Sequence, residues 1–126
     1  MPAKLNHTIV SARDRRRSAE FLAELLSLPA PTIYEPFLVV HLTNDVSLDF
    51  IAADEPIHPQ HYAFLVSEPE FDEIFARITA RGLPHWADPG QTRSGQINRR
   101  DGGRGVYWED PDGHLLEILT RPYGSG

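Results

Sequence analysis

The sequence predicts an α+β fold in which a β-α-β-β-β unit is written twice. Three observations carry that reading. A strand-like run followed by an amphipathic helix occurs near the N-terminus and again from His61. Each helix is then followed by short strand-like runs separated by turn residues. The strand closing each half also holds an acid inside an apolar run, Asp49 in Val46–Ala52 and Glu117 in His114–Thr120. Internal similarity in two copies is weak by itself. Here it also matches His7 to His61 and Asp49 to Glu117, polar residues at unusual positions, and that raises its weight.

Leu5 to Ala12 reads as the first strand, with Leu5, His7 and Ile9 on one face and Thr8 and Val10 on the other. Asp14 suits the N-cap of a helix running to about Leu28, with Phe21, Leu22, Leu25 and Leu26 as its apolar stripe. Pro29 and Pro31 stop it. Thr32–Phe37, Leu38–Thr43 and Val46–Ala52 are strand candidates, and Asn44-Asp45 marks a tight hairpin between the last two. Pro56 and Pro59 form a connection.

The pattern restarts at His61–Ser67, a strand. Ser67-Glu68-Pro69-Glu70 fits a capping box. Phe71, Ile74, Phe75 and Ile78 then recur at helical spacing, and Gly82 is a natural stop. A short strand around His85–Ala87 precedes a long loop, Asp88–Gly103, of the kind that more often has a function than not. Gly105–Glu109 and His114–Thr120 close the chain as a hairpin. Its Asp110-Pro111-Asp112-Gly113 link has the chemistry of a type I turn. The expectation is one domain over residues 1–126, with a first module at about 5–53 and a second at about 60–121.

A chain of 126 residues can bury one sizeable core. Its net charge of −6 disfavours a nucleic-acid partner. The basic clusters Arg13/Arg15/Arg16/Arg17 and Arg99/Arg100/Arg104 read as a solvated helix start and a loop. Without cysteine there is no disulfide, thiolate nucleophile or cysteine zinc site. The N-terminal residues lack an apolar signal region, and no segment reaches membrane-spanning length, so the expected setting is the cytoplasm with no membrane partner.

If each helix covers one face of its sheet, His7, Asp49, His61 and Glu117 all fall on the face away from the helices. A glutamate amid leucines is costly to bury without a partner. Two neutral imidazoles and a carboxylate are the ingredients of a three-ligand divalent metal site with positions left for water and substrate. The plainer alternative makes His7 and His61 strand histidines bonded to the backbone; for three such residues in matched modules the metal site is favoured. Tyr107 can turn its hydroxyl toward this face, with Trp108 in the core. His41 reads as a core or edge residue or as an acid/base near the site, and His114 as exposed. Asn98, Arg99 and Arg104 belong to a lid or to an ordinary loop.

The sequence resembles the vicinal-oxygen-chelate superfamily, which includes glyoxalase I, fosfomycin- and bleomycin-resistance proteins and extradiol dioxygenases. Leu5-Asn6-His7-Thr8, His61-Tyr62-Ala63-Phe64 and Tyr107-Trp-Glu-Asp-Pro-Asp-Gly-His-Leu-Leu-Glu117 carry the resemblance, which spans nearly the whole chain. It implies paired βαβββ modules around a U-shaped cleft, metal ligands at His7, His61 and Glu117, and a homodimer. It further implies one divalent ion per site, Fe2+, Mn2+, Zn2+ or Ni2+, polarising a small substrate with adjacent oxygens. Glu117, Asp49 and Tyr107 are the candidate catalytic residues. The reaction is either glyoxalase-like lyase or isomerase chemistry, or ring-cleaving dioxygenation. The alternative is a metal-free protein that sequesters an antibiotic, as bleomycin-binding members do, although those lack the metal ligands. Two departures stand out. Asp49 replaces the glutamate that glyoxalase-like members use as a fourth ligand, and Ile9 stands where thiol-transferring members tend to have threonine.

Overall fold

The computed structural model describes residues 2–126. It has the expected fold class: two α-helices and two four-stranded mixed sheets among the described residues. The chain falls into two compact units, one reaching to His58 and one running from Pro59 to Gly126.

In the first unit β1 (His7–Ala12) is followed by α1 (Arg15–Leu25), β2 (Thr32–Tyr34), β3 (Phe37–His41) and β4 (Ser47–Ala52). The sheet order is β1-β4-β3-β2, with β1 parallel to β4 and the other pairs antiparallel. Asp14 caps α1 by accepting the Arg17 amide at 3.1 Å. The helix ends at Leu25, before Leu28, and Ser27 turns the chain with φ +54° ahead of Pro29. Its buried face is Ser18, Ala19, Leu22, Ala23 and Leu25, while Phe21 lies on the flank. Small residues let a helix axis approach the sheet closely, and a stripe read by large apolar side chains overlooks them. Pro36 separates β2 from β3, so Phe37 begins the second strand instead of ending the first.

The second unit repeats the plan. β5 (His61–Leu65), α2 (Glu68–Ala80), β6 (His85–Trp86), β7 (Gly105–Glu109) and β8 (Leu115–Leu119) give the order β5-β8-β7-β6, again with the first strand parallel to the last. The capping box forms in full: Ser67 Oγ accepts the Glu70 amide and Glu70 accepts the Ser67 amide. Phe71, Ile74 and Ile78 are buried, and Gly82 adopts the left-handed φ of +64° that ends the helix. Arg104 ties α2 to the approach of β7 through Glu68 and Asp72, with its guanidinium 4.4 Å above the Phe71 ring.

Both sheets separate their faces by strand period. On β1, Val10 and Ala12 are buried while His7 and Ile9 are exposed; on β5, Phe64 is buried while His61, Ala63 and Leu65 are exposed. Trp108 is in the core as expected, and its Nε1 has no hydrogen-bond partner among the described residues. His114 is not exposed as the sequence suggests; it is 1% exposed. The reason is the preceding turn. Asp110 Oδ1 accepts the amides of Asp112 and His114, folding the chain inward, and His114 Nδ1 then accepts the Gln60 amide at 3.0 Å. A satisfied imidazole can be buried cheaply.

Candidate functional site

The second unit gathers its polar side chains around Glu117. Parallel pairing sets His61 beside Leu115 and Ala63 beside Glu117, and on the other flank Tyr107 faces Glu117 directly. His61, Tyr107 and Glu117 therefore share one face of three adjacent strands. Glu117 is 1% exposed, so its carboxylate must find partners inside the protein.

One partner is His61, whose Nε2 lies 3.1 Å from Glu117 Oε1. The other ring nitrogen, Nδ1, is 2.9 Å from the Leu115 carbonyl. A carbonyl only accepts, so Nδ1 carries the hydrogen, and in a neutral ring Nε2 presents its lone pair. Two acceptors then face each other across 3.1 Å. Only a positive species between or on them, a shared proton or a cation, makes that approach favourable. A backbone-fixed imidazole beside a carboxylate is also how metal-binding histidines are oriented. The donor set of nitrogen and oxygen fits a divalent transition metal.

The second partner is Tyr123, whose hydroxyl lies 2.7 and 2.6 Å from the two Glu117 oxygens. Tyr107, 2% exposed, stacks on His61 with ring centres 5.9 Å apart, and its hydroxyl is 3.1 Å from that of Tyr123. Arg100 Nη1 donates to the Tyr107 hydroxyl at 2.8 Å. With that lone pair taken, the donors run in one direction, from Arg100 to Tyr107 to Tyr123 to Glu117. Burial, then the bonds to Glu117 and Tyr107, push the Tyr123 phenol well above its ordinary range, so it stays neutral and donating. The bond to Tyr107 holds the Arg100 guanidinium above its ordinary value too.

The first unit has the same register with different partners. His7 pairs with Ser47, and Ile9 and Val39 flank Asp49. His7 Nδ1 is 2.8 Å from Asn6 Oδ1, and half-buried Asp49 accepts Ser47 Oγ at 2.8 Å. Among the described residues no group of three or more His, Asp or Glu side chains converges; the second unit assembles a pair, His61 and Glu117.

The remaining candidates sort by their bonds. His41 is exposed, with Nε2 3.2 Å from Thr32 Oγ1 across the β2–β3 edge. Asn98 pins the long loop, donating to the Ala87 carbonyl at 2.8 Å and pairing its backbone with Gly105. Arg104 belongs to α2 packing. Arg100 and Tyr123 reach the site although neither is singled out by pattern. Arg100 sits in a basic cluster that reads as solvated, and Tyr123 lies in a polar tail beyond the last strand. The one signal available for Tyr123 is an aromatic between Pro122 and Gly124, where none is needed.

Comparison with known proteins supplies the context. Residues 4–118 match the family described as Glyoxalase/Bleomycin resistance protein/Dioxygenase superfamily. Two solved structures are similar over nearly their whole length. Oxidase ChaP-H1 is 66% identical with a TM-score of 0.96, over 98% of this chain and 99% of that one. Oxidase ChaP-H2 is 59% identical with a TM-score of 0.98, over 100% of this chain and 99% of that one. Metallothiol transferase FosB of Lysinibacillus sphaericus (strain C3-41) is 30% identical over 121 residues, 92% of this chain and 81% of the relative.

Proposed function

The chain belongs to the Glyoxalase/Bleomycin resistance protein/Dioxygenase superfamily, and from that premise we propose that it is a divalent-metal-dependent oxidase of a small molecule with adjacent oxygens. The observation that carries the proposal is the approach of His61 Nε2 to Glu117 Oε1 with Nδ1 committed to the Leu115 carbonyl. In this reading His61 and Glu117 are two ligands. His7, which holds on β1 the register position that His61 holds on β5, is proposed as a further ligand. A divalent ion held there supplies positive charge that polarises the two substrate oxygens.

The chain's own residues do the rest. Glu117, anchored between β5 and β7, is fixed in place before substrate arrives. Tyr107, with Arg100 occupying one lone pair, directs its hydroxyl hydrogen toward the carboxylate side and orients a substrate oxygen there. Asp49, held by Ser47, is the proposed proton acceptor of the first unit. The names of the two solved structures ChaP-H1 and ChaP-H2 favour oxidation over lyase chemistry. The metallothiol transferase relative supports dependence on a metal, while Ile9 in place of the threonine of thiol-transferring members argues against thiol transfer. We further propose a homodimer, which light scattering tests directly.

The test is metal analysis of the protein prepared without oxygen, beside His61→Ala and Glu117→Gln, followed by oxygen-electrode assays with a catechol. One equivalent of metal per chain, lost in both variants, with dioxygen uptake restored by Fe2+, is expected. Metal content equal in all three proteins, or tight antibiotic binding indifferent to chelator, would overturn the reading.

A further inference from the structure

We infer that Glu117, Tyr107 and Arg100 form a phenol-binding subsite, occupied here by the chain's own Tyr123 on a C-terminal strap that an added phenol can displace. The inference rests on the reading of Glu117 as part of the ligand site and names a ligand group for it.

The geometry around the Tyr123 oxygen is that of a bound hydroxyl with both of its capacities used. It lies 2.7 and 2.6 Å from the two oxygens of a carboxylate that is 1% exposed, so its one proton is shared toward an acceptor with no access to water. The Tyr107 hydroxyl, 3.1 Å away, has accepted from Arg100 and turns its own proton toward the Tyr123 oxygen. A group that donates once and accepts once satisfies this place. A carboxylate would meet Glu117 as a like charge, and an ammonium would leave the Tyr107 proton without an acceptor. Tyr123 as a residue is 59% exposed, so the subsite engages the hydroxyl and leaves much of the side chain at the surface.

The strap is built to exchange. β8 ends at Leu119, and residues 121–126 add no strand pairing. Several bonds close the strap on itself: Arg121 Nη2 donates to the Ser125 carbonyl at 2.9 Å and Ser125 Oγ to the Pro122 carbonyl at 2.6 Å. It is tied to the rest of the unit by Tyr123, by the Gly124 amide, which donates to Asp101 Oδ2 at 3.0 Å, and by packing of Arg121 on Gly102 and Gly103 and of Gly126 beside the Asp101 backbone. Asp101 neighbours Arg100 on the same short 3-10 turn, so the strap and the far end of the donor relay are coupled. A phenol arriving from solvent would inherit the partners that Tyr123 releases. The competition is then set by the tethered phenol, whose effective concentration is on the order of millimolar for a short link.

The experiment titrates phenol and catechol into the full-length chain, dialysed against chelator, by calorimetry. Wild type, Tyr123→Phe, Tyr123→Ala and the double variant Tyr123→Ala/Glu117→Gln are compared, with circular dichroism confirming each fold. Binding at least tenfold tighter in both single variants, with that gain abolished in the double variant, is the expected result. Equal affinity in wild type and both single variants, or a gain that survives loss of the Glu117 carboxylate, would overturn the inference. Metal content measured on the same preparations before dialysis separates the two readings. Phenol competition in a protein that never binds metal sinks only the oxidase reading, and metal binding without phenol competition sinks only the strap.

Discussion

Tyr107 stands directly opposite Glu117 across the β7–β8 pair, at the place where Val39 faces Asp49 across β3–β4 in the first unit. The two units thus share a strand order and a register and differ in what the register presents. In the second, the acid is buried and faces a hydroxyl; in the first it is half-buried, flanked by valine and bonded to a neighbouring serine. Duplication of a fold supplies equivalent positions, and the side chains placed there decide which becomes a site.

Tyr107→Phe isolates the hydroxyl from the ring. The variant keeps the buried volume and the stacking on His61 but cuts the link from Arg100 to Tyr123. Metal affinity should fall about tenfold, the lower end for groups that orient a ligand. The stability loss should be about 1–3 kcal/mol, since two hydrogen bonds of the Tyr107 hydroxyl are lost, one of them to a charged group. Calorimetric titration with Mn2+ and urea unfolding measure the two. An unchanged affinity would show that Glu117 is held without help from the relay.

Glu70 offers a pH dependence with a definite sign. The Ser67 amide and then the Ser67 hydroxyl hold its carboxyl below the ordinary glutamate range. A lowered folded value means that the stabilisation is present above the unfolded pKa, about 4.3, and is lost as pH falls through the lower folded value. Glu70→Ala should therefore cost about 0.5–1 kcal/mol at pH 7, the scale of a helix cap, and much less near pH 3. Urea midpoints of both proteins at the two pH values would show the gap closing. A gap constant with pH would mean that the carboxylate charge has no part in the cap.

Much of this fold is legible in the residues because local signals and packing agree. Asp14, the Ser67–Glu70 box, Gly82 and the period-two burial of β1 and β5 are all placed by backbone chemistry that acts over a few residues. The same periodicity puts His61 and Glu117 on one face. What pattern does not reveal depends on contacts distant in the chain. Tyr123 sits in a tail with no periodicity. Arg100 reaches inward to Tyr107 from a short irregular turn in which Asp101 has φ +56°, and His114 is buried where Asp110 gathers the turn. Ala19 and Ala23 show a further limit, since small residues mark a close-packed face that hydrophobic size does not.

Asp110 makes an opposite prediction to Glu70. Burial pushes its carboxyl above the ordinary aspartate range, against the amides of His114 and Asp112, which favour the charged form. For a raised acid, stability is lost as pH climbs from the unfolded pKa to the folded one. Asp110→Asn keeps an oxygen for the two amides and removes the buried charge. It should be at least as stable as wild type at pH 7, with any gain disappearing below pH 4. Asp110→Ala removes the acceptor as well and should cost about 1–3 kcal/mol. Thermal melts of the three proteins across pH 3–8 check the order; Asn falling as far as Ala would show that the charge itself holds the turn.

Arg104 tests whether shape or charge fastens α2. Its Nε donates to Glu68 Oε1 at 2.7 Å, Nη1 to Asp72 Oδ1 at 2.9 Å and Nη2 to the Glu68 carbonyl at 3.2 Å, while the flat face covers Phe71. One rigid fork makes all four contacts, which a lysine point charge cannot reproduce. Both acids are largely exposed, so their ion pairs should contribute little each. Arg104→Lys should therefore lose about 1 kcal/mol, most of the cost of Arg104→Ala, through the stacked contact and the carbonyl bond. Glu68→Gln and Asp72→Asn should each change stability little. Urea unfolding at low and at high salt separates the cases: a lysine variant as stable as wild type at low salt, weakening as salt is added, would assign the fastening to charge.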